Sequence, residues 1–379
     1  MPRILILHAA VGTGHTTAAH ALAEAFRRRP VADVRTEDIL DYGNALFRAA
    51  LSRSYLELSA RAPTLWKMLY EASDVDDPDI VAAANALRSR VERQPLRRLE
   101  QLIASFAPEV VVCTHMLPFP MLQRLRREGT LRAPVYAVVT DYMVHTLWIN
   151  DGVDGYFLAS DLTRDAMIAR GVPPSILHVT GIPVKLEIAE PKPAAEARAR
   201  RGLPDGRIIT LFGGGIDARR VRRVVSRLLA SDQPGTLIVA AGRSESVLQA
   251  LATLSDGPKM RLQRLGRIDY VDDLVAASDL VISKSGGLIV SEVLARGTPM
   301  VVIDPIPGQE EWNADYVAAT GAGIQLRQIE SVPPVVFSLL DQPERLTAMA
   351  QQAKRFGRPR AALDIAERVL AERRSGLYA

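Results

Sequence analysis

Twice in this chain of 379 residues an apolar run gives way to glycines and then to a helical pattern, and that repetition constrains the fold more than any other feature. The first copy is an apolar stretch at 3–9, the loop Gly12-Thr13-Gly14-His15-Thr16-Thr17, and a small-residue helix over 18–26. The second is an apolar stretch at 207–212, the run Gly213-Gly214-Gly215, and an arginine-rich helix. Strand, tight turn and helix in that order open a doubly wound α/β domain. A strand buried on both faces needs no polar alternation, and the helix carries the chain back to start a parallel neighbour. Two openings imply two such halves, and the length suits two domains of ordinary size. Further apolar runs at 110–114, 134–140, 155–159 and 176–179 complete the first sheet; those at 237–241, 280–283 and 300–303 belong to the second.

The first glycine loop limits the chemistry. It lacks the Lys-Ser/Thr pair of a P-loop. Ala18 stands where a dinucleotide fingerprint wants its last glycine, and no acidic ribose reader follows, so NAD is not expected. What the loop does carry is His15. A helix start rich in N–H donors disfavours a cation, so the imidazole is expected neutral and able to take a proton from an attacking hydroxyl. A surface histidine filling a turn is the plain alternative.

The densest chemical signal runs over 281–313. Ser285-Gly286-Gly287 reads as a tight turn between a buried strand and a helix over 288–295. Free N–H groups and the positive helix end meet there, and the glycines admit an anion such as a diphosphate close to the main chain. Glu292, about two turns in, is too far along for a cap and suits the two hydroxyls of a ribose. After the strand at 300–303, Asp304-Pro305-Ile306-Pro307-Gly308-Gln309-Glu310 places polar side chains on a proline-stiffened loop. Ligands of open α/β sheets bind at that edge, and Gln309 and Glu310 suit sugar hydroxyls. Either half alone reads equally well as a turn or loop joining buried elements; the whole string fits that plain reading much less well.

Composition narrows the setting. The hydrophobic share of 48% supplies ample core, and the net charge of +4 is mild, but arginines gather in the N-terminal half and favour an anionic surface. The single cysteine, Cys113, lies in an apolar strand and excludes an internal disulfide, which suits reduced, cytosolic residence. No apolar run approaches the roughly 20 residues of a membrane span. Residues 4–11 imitate a signal peptide, yet a glycine turn follows instead of a cleavage site. Phe47, Leu51, Tyr55 and Leu58 recur at helical spacing. Pro63 then opens a second short helix with Leu65, Trp66, Leu69 and Tyr70 on one side, and Arg48, Arg53, Arg61 and Lys67 lie among them. Such basic amphipathic helices suit a bilayer surface, or equally a domain core. Asp74-Val75-Asp76-Asp77-Pro78-Asp79 imitates an Asp-x-Asp metal motif, but it precedes a helical stretch where aspartates serve as caps and dipole partners; no metal is expected.

The string Ser285-Gly286-Gly287, Glu292, Gly297-Thr298-Pro299, Pro307-Gly308-Gln309-Glu310 and Asn313 resembles the donor site of the monogalactosyldiacylglycerol synthases and processive diacylglycerol glucosyltransferases. These are relatives of the cell-wall N-acetylglucosaminyltransferase that forms lipid II. The resemblance extends to Gly12-x-Gly14-His15, to Tyr55-Leu56-Glu57-Leu58 with 63–70, to Thr140-Asp141 with His145 and Trp148, and to Gly181-Ile182-Pro183-Val184, and so covers nearly the whole chain. It implies a GT-B fold, two facing Rossmann-like doubly wound α/β domains with a C-terminal helix crossing back to the first. On that pattern 1–185 is the acceptor- and membrane-facing domain, 186–206 a linker, 207–350 the donor domain and 351–379 the crossover helix.

The resemblance further implies inverting, metal-independent transfer of a hexose, from UDP-galactose or UDP-glucose to a lipid such as diacylglycerol, by a peripheral enzyme at the inner face of the cell membrane. A UDP-sugar is the co-substrate, no other cofactor is implied, and nucleic acid is not a partner. His15 matches the family's presumed general base. Gly14, Phe47, Leu51, Tyr55, Trp66, Leu69 and Tyr70 match its acceptor and membrane region, with Asp141, His145 and Trp148 shaping the acceptor pocket. Gly213, Gly214, Gly242, Arg243 and Gly266 line the donor, the main chain at Ile268 meets the uracil edge, and Asn313 supports the Pro307–Glu310 loop. Three rivals share these features: a UDP-sugar epimerase, a transferase acting on a polyprenyl or soluble acceptor, and a non-catalytic UDP-sugar-binding protein.

Overall fold

The computed structural model describes residues 2–29, 33–43, 62–74 and 96–374. Phe47, Leu51 and Tyr55, and the aspartates at 76, 77 and 79, lie outside the described residues. The chain divides into two compact units. The first comprises Met1–Ala189, Pro307–Gln309 and Arg360–Ala379; the second comprises Glu190–Ile306 and Glu310–Pro359. The stretch drawn as a linker is therefore divided: Leu186 packs in the core of unit 1, and from Glu190 the chain opens unit 2, where the helix Ala194–Arg201 buries Ala197 beside Ile208, Ile238 and Leu274.

Unit 1 holds six parallel strands in the order β2-β1-β3-β4-β5-β6. They are β1 Arg3–His8, β2 Asp33–Asp38, β3 Val110–Cys113, β4 Val135–Val138, β5 Gly155–Leu158 and β6 Leu177–Val179. Alternate residues of β1 feed two cores, as a strand covered on both faces must. Leu5 and Leu7 join Val111, Cys113 and Ala137 on one side. Ile4 and Ile6 join Val110, Val112, Tyr136 and Phe157 on the other, under Leu22 and Phe26 of the helix Thr13–Arg27. The last helix, Ala361–Arg374, lays Ile365, Ala366 and Val369 into that second core, and its Glu372 accepts from the Tyr136 hydroxyl at 3.0 Å. The expected return of the C-terminal helix is thus observed, although it begins only at Ala361; the preceding helix, Pro343–Phe356, belongs to unit 2.

Unit 2 repeats the plan with the order β12-β11-β10-β7-β8-β9, all parallel. The strands are β7 Ile208–Phe212, β8 Gly235–Ala240, β9 Met260–Leu265, β10 Leu280–Ser283, β11 Met300–Ile303 and β12 Gly323–Leu326. The helix Ala218–Leu229 is capped by Asp217, whose side chain accepts from Arg219 N and Arg220 N. It buries Val221, Val224, Val225 and Leu228.

Each order has one point of reversal. In unit 1 the chain leaves β1 to build β2 on one side and returns to build β3 on the other; in unit 2 the same happens between β7 and β10. Loops leaving the carboxyl ends of two such strands diverge and open a crevice, where open α/β sheets bind ligands. The two glycine loops follow β1 and β7.

Candidate active site

At the first reversal His15 is the third residue of the helix Thr13–Arg27, whose N-cap is Gly12. Its Nδ1 lies 2.7 Å from the carbonyl oxygen of Thr114, just past β3, and 2.9 Å from Thr140 Oγ1, beyond β4. A carbonyl oxygen only accepts, so Nδ1 carries the proton and Nε2 keeps its lone pair. The Thr114 hydroxyl donates to the His15 carbonyl at 2.9 Å, so one threonine grips the residue at both ring and backbone. His115 meets the ring edge-on at 4.5 Å, and its own Nδ1 accepts from Leu117 N at 3.1 Å. Burial holds the His15 imidazole down at about 4, against a smaller upward pull from the Thr114 carbonyl and a further lowering by His8. The residue itself is half-buried. A neutral imidazole in a fixed orientation, whose Nε2 meets no hydrogen-bond partner among the described residues, is a base.

The other unit 1 residues divide into two sets. His145 is buried with both nitrogens engaged: Nδ1 accepts from Leu147 N at 3.1 Å, and Nε2 lies 3.2 Å from the Tyr70 carbonyl and 3.1 Å from Ser73 Oγ. Burial lowers its pKa, so it ties the loop to the helix Pro63–Ser73 as a neutral ring. Trp148 is buried in the core with its ring 6.1 Å from Phe119. Asp141 stands half-buried beside Thr140, and Gly14 is the second residue of the helix, just before His15. Asp74 pairs with Arg170 at 2.9 Å and accepts from Thr146 N at 2.8 Å; burial would raise its pKa, but these bonds hold it below the usual carboxylate range.

On the helix Pro63–Ser73 the apolar residues occupy two faces, not one. Trp66 and Tyr70 are half-buried, with the Tyr70 ring 4.6 Å from His145. Leu65, Met68 and Leu69 are 49, 64 and 51% exposed.

At the second reversal the turn Ser285-Gly286 leads into the helix Gly287–Arg296. Ser285 Oγ donates to the Glu310 carbonyl at 2.6 Å, and Asn313 Nδ2 donates to the Ser285 carbonyl at 3.0 Å. The glycine turn is thereby stitched to the helix Gln309–Ala319. Glu310 is 4% exposed. Its Oε1 is 2.5 Å from Lys284 Nζ, and its Oε2 accepts from Ile306 N at 2.9 Å. Asp304, at φ +46°, takes a two-pronged pair from Arg220 at 2.5 Å on each oxygen. The proline loop is therefore held at both ends by ion pairs. Glu292 is buried on the helix Gly287–Arg296, Pro307 and Gln309 are half-buried, and Gly308 has φ +89°.

Of the glycine run, Gly215 has the clearest reason to be glycine: φ is +80°, and a Cβ there would lie 2.9 Å from Lys284 Cε. Gly213 is buried, and a Cβ there would lie in ordinary contact with Val247, Leu211 and Val221, whereas half-buried Gly214 would meet only the Ala241 carbonyl, at 3.6 Å. Gly242 (φ +61°), Arg243, Gly266 and Ile268 sit on the loops leaving β8 and β9; Arg243 is exposed and unpaired among the described residues, and Ile268 is half-buried. Sequence reasoning named none of Lys284, Arg220, Thr114 and His115 as site residues, and it met Thr140 only as the neighbour of Asp141 in the family resemblance. A charged residue at the carboxyl end of a buried strand was the available signal for Lys284.

Two family models match the chain. Residues 15–184 match the monogalactosyldiacylglycerol (MGDG) synthase model, and residues 208–365 match the glycosyltransferase family 28 C-terminal domain. A processive diacylglycerol beta-glucosyltransferase of Bacillus cereus (strain AH187) is 29% identical over 374 residues, which cover 98% of this chain and 94% of that one. Among solved structures, MurG of Acinetobacter baumannii superposes with a TM-score of 0.63 at 18% identity, covering 98% of this chain and all of that one. S. aureus MnaA, solved with UDP, gives 0.64 at 14%, covering 100% of this chain and 97% of its own. At such identities the likeness is one of fold, and the fold is GT-B with two Rossmann-like domains.

Proposed function

Because the chain belongs to the monogalactosyldiacylglycerol synthase family of glycosyltransferases, we propose that it moves a hexose from UDP-galactose or UDP-glucose to the free hydroxyl of diacylglycerol, inverting the anomeric carbon. The observation that carries the reading is a neutral His15 oriented through Nδ1 by the Thr114 carbonyl, with Nε2 unpartnered among the described residues. The acceptor hydroxyl gives its proton to that nitrogen as its oxygen bonds the anomeric carbon. The bond from that carbon to the β-phosphate oxygen breaks with its electron pair, and UDP leaves. With a pKa of about 4 the base is unprotonated at neutral pH. The start of the helix Gly287–Arg296 offsets charge on the leaving diphosphate, so the reading needs no metal and no cofactor beyond the UDP-sugar. Glu292 holds the ribose, Gln309 and Glu310 the sugar, and the main chain at Ile268 the uracil edge.

The lipid acceptor accounts for the exposed face of Leu65, Met68 and Leu69, with Lys67 on the same helix. Aliphatic side chains beside a cation suit an anionic bilayer surface, here the inner face of the cell membrane. No helix among the described residues is long and apolar enough to cross a membrane.

The test mixes purified protein with each UDP-sugar and with vesicles containing or lacking diacylglycerol, and follows UDP release and glycolipid mass together. Release that requires diacylglycerol and yields a hexosyl lipid is expected. Release indifferent to it, or an epimerised sugar nucleotide, would overturn the lipid reading in favour of a soluble acceptor or an epimerase.

A further inference from the structure

In unit 2 the Lys284–Glu310 pair has the makings of an anion site that is already filled from within. The Glu310 carboxylate takes an ammonium on one oxygen at 2.5 Å and a backbone N–H, that of Ile306, on the other at 2.9 Å. Oε1 also lies 3.4 Å from where a Cβ on Gly286 would stand, so the carboxylate rests against the glycine turn. An ammonium and main-chain amides beside glycine are the groups that hold a phosphate oxygen. The lysine stem reaches the spot across Gly215, where a Cβ would come within 2.9 Å of Lys284 Cε. Glu310 is nearly buried while Lys284 stays one-fifth exposed, so the cation retains access to solvent that the carboxylate lacks.

We propose that Lys284 is the counter-charge of the donor's diphosphate and that Glu310 is the internal stand-in for that anion. On donor binding the ammonium exchanges the carboxylate for a phosphate oxygen, and the freed Glu310 oxygen accepts from a sugar hydroxyl. The inference rests on the reading that unit 2 binds a UDP-sugar. It adds a consequence for turnover. The intact donor compensates Glu310 for its lost lysine, whereas UDP alone does not. Once the sugar has gone, the carboxylate reclaims Lys284 and drives the product out. The pair thus discriminates donor from product with one swap of partners.

Calorimetric titration of UDP and of the intact UDP-sugar into wild type, Lys284→Met, Lys284→Arg and Glu310→Gln tests this, with thermal unfolding to verify that each variant is folded. Lys284→Met should weaken both ligands about 10- to 100-fold, the value of a charged hydrogen bond, and Lys284→Arg should restore most of that. Glu310→Gln should bind UDP more tightly than wild type and the UDP-sugar more weakly, because the charged competitor for the lysine is gone and the sugar's charged acceptor becomes a weaker, neutral one. Glu310→Gln weakening UDP as much as UDP-sugar would mean that the carboxylate only braces the loop. That result, or unchanged UDP affinity in folded Lys284→Met, would overturn the inference while leaving the donor reading intact. Failure of wild type to bind either ligand would bring down the donor reading and the inference with it.

Discussion

The two points of strand reversal are built on one plan and furnished for different chemistry. Each has a glycine loop after the first strand of its sheet and a second loop after the strand on the far side of the reversal. In unit 1 the far loop gives a carbonyl, Thr114, to a histidine on the near one. Burial then strips that histidine of charge. In unit 2 the far loop gives a lysine, which lies over a glycine of the near one and stays paired. Architecture sets where ligands go; the residue each loop presents decides whether the place removes a proton or holds an anion.

Exchanging that division of labour should fail, and the sharpest way to break it is at the base. His15→Ala should lower kcat by about 10²- to 10⁴-fold, the usual share of a general base, with donor affinity unchanged in a binding titration. Next in size, Arg220→Ala frees Asp304 at the mouth of the proline loop. Donor KM should rise about tenfold or more, with little change in kcat, because the removed contact is a two-pronged charged pair outside the reacting atoms. Gly215→Ala tests the lysine's passage. A left-handed φ disfavours a Cβ by about 1–2 kcal/mol, visible as a lower Tm, and the displaced Lys284 stem should cost donor affinity as well. Smallest, Leu65→Ser with Leu69→Ser should reduce vesicle-dependent turnover severalfold while leaving UDP binding untouched.

The pH profile sharpens the same contrast. A base held at about 4 remains competent far below the ordinary histidine range, so the acid limb of kcat/KM assigned to His15 should fall near pH 4 and not near 6.5. Stability follows the same sign. The folded state binds this proton later than the unfolded one, so the contribution is intact above pH 6.5 and is lost as pH drops toward 4. A His15→Gln variant should lose less stability than wild type across that window in denaturant titrations.

Much of the fold was legible because most strands of the two sheets are apolar runs buried on both faces, and a run such as Val110–Cys113 has few other uses. Two of the four edge strands were not: among the described residues Asp33–Asp38 pairs only with β1 and Gly323–Leu326 only with β11, and an edge needs no continuous apolar stretch. Within the site, His15 and the Ser285–Gly287 turn announced themselves through local spacing. Lys284 with Glu310 and Arg220 with Asp304 are contacts across 26 and 84 residues, and pairing at that range is a product of packing. The same limit explains the helix Pro63–Ser73: spacing grouped Trp66 and Tyr70 with Leu65 and Leu69, whereas Tyr70 packs on His145 with Trp66 beside it, and the aliphatic residues stay exposed on another face.

The most direct test of the account is a single-turnover experiment on His15→Ala and Lys284→Met, with UDP-sugar affinity measured on the same preparations and diacylglycerol vesicles as acceptor. The account predicts opposite defects. His15→Ala binds donor as wild type does and transfers almost nothing. Lys284→Met binds donor weakly yet transfers once donor is saturating, at a rate nearer wild type than His15→Ala reaches. Loss of donor binding in His15→Ala, or transfer surviving in it, would contradict the assignment of proton removal to the first reversal point and anion binding to the second.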